Sequence, residues 1–411
     1  MLQHVVVVGA SLAGLRAVES LRTEGYDGQL TLIGAETHLP YDRPPLSKKV
    51  LAGEWESDRI ALRRPDQIEA LQLDLRLGQR AERLDASARV IELADGSTVA
   101  YDGLVIATGA QPRRLPDQPA LAGVVELRTL DDALALRALL DGAPHRVVVI
   151  GAGFIGAEVA ATARQRGLEV TIVEALPVPL ARGLGPAMGM ACGLLHGDNG
   201  VDLRLGVGVA ALEGGTRVER VHLTDGSVIA ADVVVVGIGV SPATGWLEGS
   251  GLELRDGVVC DATLATGLPG VFAAGDVARW PNGRFGEEMR VEHWTNANEQ
   301  GALAAKNLLA TGGADGSGAG VAEAYEPVPF FWSDQYGARL QYLGRASGDD
   351  EVQVVHGSID ERAWVALYGH GGRLRGALGV NMPKLLAGYR KLFAERASWD
   401  DALAHAARVN G

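Results

Sequence analysis

The chain has 411 residues, of which 55 are glycine and 47% are hydrophobic, and its formal net charge is −13 at pH 7. This length allows two or three domains with separate cores, and the composition is typical of an α/β protein with many tight turns. The negative charge argues against nucleic acid or an anionic membrane as the main partner.

Residues 1–36 predict a strand, a glycine-containing turn, a helix and a second strand. Val5–Val8 is apolar and β-branched, a helix follows to about Glu24, and Leu30–Ile33 leads to Glu36. In a dinucleotide-binding unit, glycines make the turn, admit the pyrophosphate and pack the helix on the strand. Ser11 stands where the second glycine is usual, which makes the close approach of a phosphate less favourable. The candidate binding residues of this turn are Gly9, Ala10, Ser11, Ala13 and Gly14.

A proline-rich segment, HLPYDRPPLSK, occupies residues 38–48. Its three prolines predict a stiff loop outside helix and strand, which carries Arg43 and Lys48. Such a loop can hold cations against a phosphate or a flavin. The alternative is a rigid surface connector.

The region 75–106 resembles a small antiparallel insertion. Val90–Leu93 and Thr98–Tyr101 flank Asp95-Gly96, which is a hairpin signal. The buried strand Leu104–Ile106 then leads to small residues that permit close backbone approach, namely Ala107, Thr108 and Gly109.

The stretch Val147–Glu174 is the clearest nucleotide-binding unit in the chain. The strand Val147–Ile150 precedes a G-x-G-x-x-G motif, a helix is predicted over Ala157–Arg166, and the strand Leu168–Val173 ends on Glu174. The helix N-terminus favours phosphate, and an acid closing the second strand accepts a ribose 2′-OH. The alternative is a glycine-rich turn without a ligand. The candidate residues are Gly151, Gly153, Phe154, Ile155, Gly156 and Glu174, with Gly237 after a later strand.

The two nucleotide units are followed by hairpins that are near copies of each other. LADGSTVAYDGLVIATG ends at Gly109 and LTDGSVIAADVVVVGIG ends at Gly239. This repetition indicates an internal duplication, with one nucleotide-binding domain inserted into the other. Two units imply two dinucleotides, most naturally FAD and a nicotinamide nucleotide.

After the second unit the chain returns to the first through Val271–Val277. In that segment Gly275 clears space and Asp276 can hydrogen-bond a ribityl or phosphate-side hydroxyl; a plain turn is the alternative. Trp294 precedes a helix to about Leu309, where its ring either stacks beside a flavin or packs against the start of the helix.

Thr311–Ala322 consists almost wholly of small residues and predicts a linker. Beyond it we expect an antiparallel α+β domain with strands near Phe330–Leu343, Val352–Gly357, Ala363–Tyr368 and Arg375–Val380 and helices over Lys384–Ala397 and Asp400–Arg408. The predicted domains are a FAD-binding domain (1–115 and, with the linker, 241–322), an NADH-binding domain (116–240) and the C-terminal domain (323–411).

The two cysteines, Cys192 and Cys260, form no C-x-x-C pair, which excludes a disulfide-relay mechanism. No metal site is predicted. No apolar run approaches the ~18 residues of a membrane helix, and a strand beginning by Val5 leaves no room for a signal peptide. We therefore expect a cytoplasmic protein.

Six strings in order resemble a known family: PYDRPPLSK, ATGAQPR, LRTLDDA, GAGFIGAEVAATA, AAGDVAR and FWSDQY. They are similar to the FAD-dependent ferredoxin reductases of cytochrome P450 and aromatic dioxygenase systems, the putidaredoxin reductase and biphenyl dioxygenase reductase family. The resemblance covers essentially the whole chain. It implies a glutathione-reductase-like α/β fold, with two Rossmann-like domains and a C-terminal α+β domain.

The resemblance also implies roles for individual residues. Lys48 would lie near the flavin N5, where an ammonium can stabilise developing charge. Glu158 would lie near the nicotinamide carboxamide; its alternative role is an ordinary acid at a helix start. Glu36 departs from the family pattern because the usual acid position holds Ala35, so the assignment of Glu36 as a ribose ligand has less support than that of Glu174. The implied FAD contacts are Ala13, Arg43, Lys48, Ala81, Arg128, Asp276 and Trp294.

Glu174 also predicts the choice of nucleotide. A carboxylate there repels a 2′-phosphate, and no arginine follows before Arg182, so NADH is favoured over NADPH. Arg182 is placed to reach the phosphates or the adenine side of the nicotinamide nucleotide.

The implied reaction is hydride transfer from NADH to FAD, followed by single-electron transfer to a [2Fe–2S] ferredoxin that supplies a cytochrome P450 or a dioxygenase. One alternative is a FAD- and NADH-binding redox sensor or slow NADH oxidase without a ferredoxin partner, and another is an electron-transferring subunit of a larger dehydrogenase. An acidic ferredoxin requires a local basic patch; the candidates are Arg279, Arg284, Arg290, Arg339, Lys384, Arg390 and Lys391.

Overall fold

The structure is a computed structural model that describes residues 2–313, 318 and 320–410. Its strands are β1 (His4–Val8), β2 (Gln29–Gly34), β3 (Asp74–Leu77), β4 (Ala81–Asp85), β5 (Val90–Leu93), β6 (Thr98–Ala100), β7 (Gly103–Ile106), β8 (Ala110–Pro112), β9 (Val124–Val125), β10 (Arg146–Ile150), β11 (Glu169–Glu174), β12 (Asp202–Leu205), β13 (Val209–Glu213), β14 (Arg220–Leu223), β15 (Val228–Ala230), β16 (Val233–Val236), β17 (Val240–Pro242), β18 (Val258–Val259), β19 (Val271–Ala273), β20 (Ala278–Asn282), β21 (Glu287–Met289), β22 (Phe330–Gln335), β23 (Ala338–Gly344), β24 (Glu351–Ser358), β25 (Ala363–His370) and β26 (Arg373–Val380). Its α-helices are α1 (Leu12–Thr23), α2 (Pro65–Glu69), α3 (Leu130–Asp141), α4 (Phe154–Gln165), α5 (Ala181–Asp198), α6 (Trp294–Thr311), α7 (Pro383–Gly388), α8 (Arg390–Ala394) and α9 (Trp399–Asn410).

The chain folds as two compact units. Unit 1 comprises residues 1–42, 60–111 and 241–329, and unit 2 comprises residues 43–59, 112–240 and 330–411. The chain thus leaves unit 1 and later returns to it, as an inserted domain requires. The assignment of the four predicted domains and their boundaries stays a prediction.

A five-stranded parallel sheet with the order β19-β7-β1-β2-β3 forms the centre of unit 1. β1 lies in its middle, and its four valines, Val5–Val8, are at most 3% exposed, as an apolar strand covered on both faces should be. The helices α1 and α6 pack against each other in the same unit. The predicted hairpin around Asp95-Gly96 is confirmed as β5 and β6 of a three-stranded antiparallel sheet.

Unit 2 also contains a five-stranded parallel sheet, and it includes a separate antiparallel sheet formed by the last strands of the chain. Its parallel sheet has the order β12-β11-β10-β16-β9, and a three-stranded antiparallel sheet, β13-β14-β15, accompanies it. The last strands form a separate antiparallel sheet, β22-β23-β26-β25-β24, followed by α7, α8 and α9. The predicted α/β class, with two Rossmann-like sheets and a C-terminal α+β part, is confirmed.

Several predicted boundaries were wrong for local reasons. Residues 46–48 are not loop, because a π-helical turn spans Leu46–Val50 after Pro45, and a proline at a helix start loses no hydrogen bond. The helix predicted from Ala157 begins at Phe154, directly after the N-cap Gly153. Trp294 is the first residue of α6 rather than its predecessor. The region predicted as a helix over Lys384–Ala397 is divided into α7 and α8 at Tyr389.

The predicted linker Thr311–Ala322 lies in part on residues 314–317 and 319, outside the described residues. Within the described ranges, no helix is both long enough and apolar enough to span a membrane.

Candidate functional site

The glycine turn of unit 1 is closed by backbone contacts that exclude larger residues. Gly9 has a φ of +118°, and a Cβ there would lie 2.1 Å from the carbonyl oxygen of Ala107. A Cβ on Gly14 would lie 1.8 Å from the carbonyl oxygen of Gly9, so α1 packs directly against the turn. The first and third motif glycines therefore act in close packing, as the motif predicts.

The start of α1 presents backbone N–H groups to this turn. Ser11 is the N-cap residue in an extended conformation, Ala10 is half-buried, and Ala13 is 6% exposed. No acidic residue lies in the first turn of α1. The positive end of the helix dipole therefore meets no competing carboxylate from its own first turn, which suits a pyrophosphate.

Other predicted residues of unit 1 follow the carboxyl ends of neighbouring strands. The sheet order places β19, β7 and β1 side by side, and Gly275, Ala107 and Gly9 follow them. Gly275 has a φ of +79°, and a Cβ on it would lie 3.1 Å from the Cβ of Ala13. Asp276, the next residue, is half-buried. The structure thus brings the Gly9 turn and the Gly275 turn together at the sheet edge where α/β proteins bind nucleotides.

The remaining predicted residues of unit 1 each have their own contacts or position in the fold. Tyr41 donates a hydrogen bond of 2.5 Å to Oε2 of Glu36, and Nε1 of Trp294 donates to Oδ1 of Asp42 at 2.7 Å. Thr108 donates its hydroxyl to the carbonyl of Ala243 at 2.9 Å. Gly109 has a φ of +69° after β7. Ala81 begins β4 in the three-stranded sheet rather than in the parallel sheet.

The glycine turn of unit 2 combines tight packing with one open side. A Cβ on Gly151 would lie 2.3 Å from the carbonyl oxygen of Gly237, and one on Gly156 would lie 2.2 Å from that of Gly151. Gly153 is exposed, and apart from its neighbours in the chain no atom of the described residues lies within 4 Å of a Cβ built on it. The close packing beside an open second glycine fits a pyrophosphate at the start of α4, so the residues present fit a dinucleotide.

Glu174 lies beside the same turn at the end of β11. Its Oε2 accepts a hydrogen bond of 2.8 Å from the Ala152 backbone N–H, and its Oε1 accepts one of 2.9 Å from that of Leu176. The carboxylate is thereby fixed next to the glycine loop, and each oxygen keeps a lone pair for a ribose hydroxyl. Arg182 is exposed, in the first turn of α5.

The two residues between the motif glycines differ in exposure. Ile155 is 51% exposed, which is unusual for a large apolar side chain. The ring of Phe154 packs 4.6 Å from the ring of Phe331, measured between centroids.

Glu158 is a buried carboxylate with three side-chain donors. It is 3% exposed and accepts from Nζ of Lys48 at 2.7 Å, from the hydroxyl of Ser47 at 2.6 Å and from the hydroxyl of Ser333 at 2.7 Å. Lys48 also donates to the carbonyl of Pro44 at 3.1 Å. Two predicted catalytic residues, Lys48 and Glu158, are therefore brought together in unit 2, whereas the third, Trp294, belongs to unit 1.

The position of Glu158 in α4 excludes one of its two sequence-based interpretations. It is the fifth residue of α4, and no acid lies in the first turn of that helix. The interpretation as an ordinary helix-start acid was therefore wrong. A carboxylate this buried is costly to desolvate, and the Lys48 charge and the two hydroxyl donors offset that cost.

The Leu46–Val50 turn is anchored on α4, which explains how Lys48 reaches Glu158. The Thr162 hydroxyl donates to the carbonyl of Ser47 at 2.8 Å, and Nη1 of Arg166 donates to the carbonyl of Leu51 at 2.9 Å. Successive turns of one helix thus hold both the carboxylate and the segment that carries its cation.

Two arginines implied by the resemblance also meet within unit 2. Nη1 of Arg43 donates to the carbonyl of Arg128 at 2.5 Å, and the Arg128 backbone N–H donates to Oδ2 of Asp132 at 3.0 Å. The predicted FAD contacts therefore fall in both units, because Arg43, Lys48 and Arg128 belong to unit 2.

The sequence reasoning missed the side chains that hold the predicted ones. Ser47, Ser333 and Asp42 each hydrogen-bond a predicted catalytic residue. All three lie inside the quoted strings PYDRPPLSK and FWSDQY, so a reading of every polar residue in those strings would have included them.

The two cysteines are free and buried. Burial raises the pKa of the Cys192 thiol to about 12 and that of the Cys260 thiol also to about 12. Thiols with such pKa values are poor nucleophiles at neutral pH. Across the residues that the structure describes, no cluster of three or more His, Cys, Asp or Glu side chains is arranged to hold a metal ion.

Several candidate docking cations are already engaged within their own unit. In unit 1, Arg279 pairs with Glu288 at 3.2 Å and Arg290 with Glu292 at 2.7 Å. In unit 2, Arg339 pairs with Asp334 at 3.6 Å and Lys391 with Glu395 at 3.6 Å, and the Arg390 guanidinium lies 5.0 Å from the ring centroid of Phe330. Which cations form a docking patch stays a prediction.

Comparison with known families finds two matches that together span most of the chain. Residues 3–301 match the family described as pyridine nucleotide-disulphide oxidoreductase. Residues 330–410 match the family described as reductase C-terminal.

Individual proteins are similar over nearly their full length. Rhodocoxin reductase of Rhodococcus erythropolis is 38% identical over 95% of this chain and 89% of its own length. The ferredoxin reductase component of chlorobenzene dioxygenase from a Cupriavidus species is 38% identical over 98% and 95%. Among solved structures, the covalent putidaredoxin reductase–putidaredoxin complex matches with a TM-score of 0.88 and 33% identity, over 96% of this chain and 93% of that one.

Proposed function

This chain belongs to the pyridine nucleotide-disulphide oxidoreductase family, and we propose that within it the protein is an NADH-dependent ferredoxin reductase containing FAD. When bound, the flavin would accept a hydride from NADH and release two electrons singly to a [2Fe–2S] ferredoxin. That ferredoxin would supply a cytochrome P450 or an aromatic-ring dioxygenase.

One observation carries the choice within the family. Disulfide reductases pass electrons through a reactive cysteine pair, but Cys192 and Cys260 are buried, unpaired and members of different units. Their raised pKa values keep both thiols protonated at neutral pH. Electrons therefore have no thiol relay in this chain and must leave from the cofactor to an external acceptor.

The residues of the two glycine turns would hold the nucleotides. In unit 1 the start of α1 would take the FAD pyrophosphate, with Glu36 toward a ribose and Asp276 toward the ribityl or phosphate side. The further proposed FAD contacts are Gly9, Ala10, Ser11, Ala13, Gly14, Arg43, Lys48, Ala81, Ala107, Thr108, Gly109, Arg128, Gly275 and Trp294.

In unit 2 the start of α4 would take the NADH pyrophosphate at the open side of Gly153. Two backbone N–H groups fix the Glu174 carboxylate, which would accept a hydrogen bond from the ribose 2′-OH and repel a 2′-phosphate. Glu158 would orient the carboxamide, and Lys48 would set a positive charge near the flavin. The further proposed NADH contacts are Gly151, Phe154, Ile155, Gly156, Arg182 and Gly237.

The relatives' names support the partner class, because each compared protein is named as a reductase that serves a redox partner or a dioxygenase. We also propose a cytoplasmic location, where NADH is available to such a reductase.

The test is NADH-driven cytochrome c reduction by the purified flavoprotein, with and without a panel of [2Fe–2S] ferredoxins. A ferredoxin that strongly increases the rate of cytochrome c reduction, with an increase that becomes smaller as salt is added, supports the proposal. No stimulation by any ferredoxin, together with a long-lived complex of reduced flavin and NAD⁺, would instead identify a redox sensor.

A further inference from the structure

The C-terminal sheet contributes a polar side chain to the buried carboxylate of the nucleotide-binding layer. Ser333 lies on β22, is fully buried, and donates its hydroxyl to Oε1 of Glu158 at 2.7 Å. The two residues are 175 positions apart in sequence. This contact is internal to unit 2 and lies beyond what the motif of the nucleotide turn requires.

The packing register of β22 on α4 explains the contact. Phe331 and Ser333 are two apart on a strand and so share one face, and Phe154 and Glu158 are four apart on a helix and so share one side. The rings of Phe331 and Phe154 are 4.6 Å apart, and one step further along both elements Ser333 reaches Glu158. Two residues of strand span roughly 6.7 Å and four residues of helix about 6 Å, so the two contacting pairs keep the same spacing along both elements.

The three donors to Glu158 are divided unequally between its oxygens. Ser47 and Lys48 both donate to Oε2, whereas Ser333 donates to Oε1. Without the Ser333 hydroxyl, the donors that remain act on Oε2 alone, and rotation of the carboxylate about its last bond is less restricted. Ser333 therefore fixes the plane of the carboxylate.

Gln335 orients the Ser333 hydroxyl in turn. Its Nε2 donates to the Ser333 oxygen at 3.2 Å, which directs the hydroxyl hydrogen toward Glu158. Gln335 is fully buried, and its Oε1 has no hydrogen-bond partner among the described residues. An unpaired buried oxygen destabilises the folded state, so an apolar residue would serve stability better here.

We propose that Ser333 and Gln335 are positioning residues for hydride transfer, which hold the Glu158 carboxylate in the orientation that receives the nicotinamide carboxamide. The C-terminal domain is then part of the nicotinamide site and not only a surface for the electron acceptor. The inference rests on the proposed function, because it assumes that Glu158 faces the nicotinamide.

The test compares two ligands that differ in the nicotinamide. The affinities of the holoprotein for NAD⁺ and for ADP-ribose are measured by calorimetry for wild type and Ser333→Ala. We expect Ser333→Ala to weaken NAD⁺ about three- to tenfold and to leave ADP-ribose unchanged, because only NAD⁺ carries the carboxamide. Ser333→Thr, which keeps the hydroxyl, should have a ratio of NAD⁺ affinity to ADP-ribose affinity close to that of wild type. The matched control is Ser250→Ala, a buried serine of unit 1 whose hydroxyl donates to Leu247.

A double-mutant cycle separates positioning from a structural role. In a Glu158→Gln background, Ser333→Ala should have little further effect on the NAD⁺ to ADP-ribose ratio, because its target is already altered. Equal weakening of both ligands by Ser333→Ala, or an undiminished effect in the Glu158→Gln background, would overturn the inference.

The outcome is separable from that of the proposed function, since no ferredoxin is present in the titration. An unchanged ratio in Ser333→Ala overturns the positioning role alone, whereas a wild-type holoprotein that binds neither ligand overturns both.

Discussion

Glu158 shows how one side chain can be expensive to bury and still be retained. A buried ion pair is often no more stable than an apolar replacement, but removing one partner leaves an uncompensated charge. Among the described residues, Lys48 is the cation that pairs with Glu158, with Nζ 2.7 Å from Oε2. Stability alone therefore gives no reason for this pair, which agrees with the roles proposed for Lys48 and Glu158 at the flavin and the nicotinamide.

Lys48 and its neighbour Lys49 provide a matched comparison. Lys48→Met should lower the free energy of unfolding by about 3 kcal/mol, because the Glu158 charge stays buried without its cation. For domains of this size, that corresponds to a melting temperature roughly 6–12 °C lower. Scanning calorimetry of the holoprotein measures it, and the rate of flavin reduction by NADH should fall in the same variant.

Lys49→Met is the control, since Lys49 and its partner Glu54 are both about half exposed. Its unfolding free energy should change by less than about 1 kcal/mol. Equal melting temperatures for the two variants would show that the Lys48–Glu158 pair does not compensate a buried charge.

The proposed role of Glu174 in nucleotide choice depends on its negative charge. Glu174→Gln keeps one acceptor oxygen but removes the repulsion toward a 2′-phosphate, so the preference for NADH over NADPH in kcat/KM should narrow by at least about tenfold. Glu169→Gln, at the exposed start of the same strand, should leave the preference unchanged. A Glu174→Gln protein with the wild-type ratio would remove Glu174 from the ribose site.

At the level of elements, the strands were predictable and their neighbours across the fold were not. Runs such as Val5–Val8 and Val233–Val236 can be recognised as strands in the sequence, because a parallel strand buried on both faces is continuously apolar. The Leu46–Val50 turn escaped prediction because prolines are usually read as breaking helices, although they fit at a helix start.

The candidate site likewise has a part that the sequence predicts and a part that depends on packing between distant elements. The glycine turns follow from local backbone geometry, which a spacing motif records. The Ser333–Glu158 contact depends on how β22 packs on α4, and no local pattern encodes a partner 175 positions away. Arg128 was named only through the family resemblance, for the same reason.

α5 is joined to the C-terminal sheet by two side-chain contacts. Nδ1 of His196 lies 2.7 Å from the hydroxyl of Tyr336, and Arg362 donates to Asp198 at 2.6 Å. His196 is fully buried, and its burial lowers the pKa of the imidazole from about 6.5 to about 4. Between about pH 6.5 and about pH 4 the unfolded chain binds a proton at His196 that the folded chain does not.

This histidine should make unit 2 less stable in acid. Because the folded-state pKa lies below the unfolded one, the stabilising effect is present above about pH 6.5 and is lost as the pH falls toward about 4. The loss reaches about 3 kcal/mol. Urea unfolding between pH 7 and 4 should show a shallower decline for His196→Gln than for wild type. His370→Gln, at a half-exposed histidine of β25, should decline like wild type; an unaltered decline in His196→Gln would exclude this origin.

For the whole molecule, the account requires that no protein thiol carries electrons. A Cys192→Ala, Cys260→Ala double variant should reduce ferredoxin at close to the wild-type rate, with only a modest loss of melting temperature from the two small cavities. Loss of ferredoxin reduction in a folded, flavin-loaded double variant would contradict an electron path that avoids both cysteines.

Rapid mixing of the NADH-reduced protein with an oxidised [2Fe–2S] ferredoxin, in parallel with mixing against oxygen, tests directly whether the protein is a ferredoxin reductase. We expect flavin reoxidation by a matching ferredoxin to be much faster than reoxidation by oxygen, and the ferredoxin reaction to slow as ionic strength rises. A reduced flavin that persists in the presence of every ferredoxin tested, or that is reoxidised only by oxygen, would contradict the reductase function.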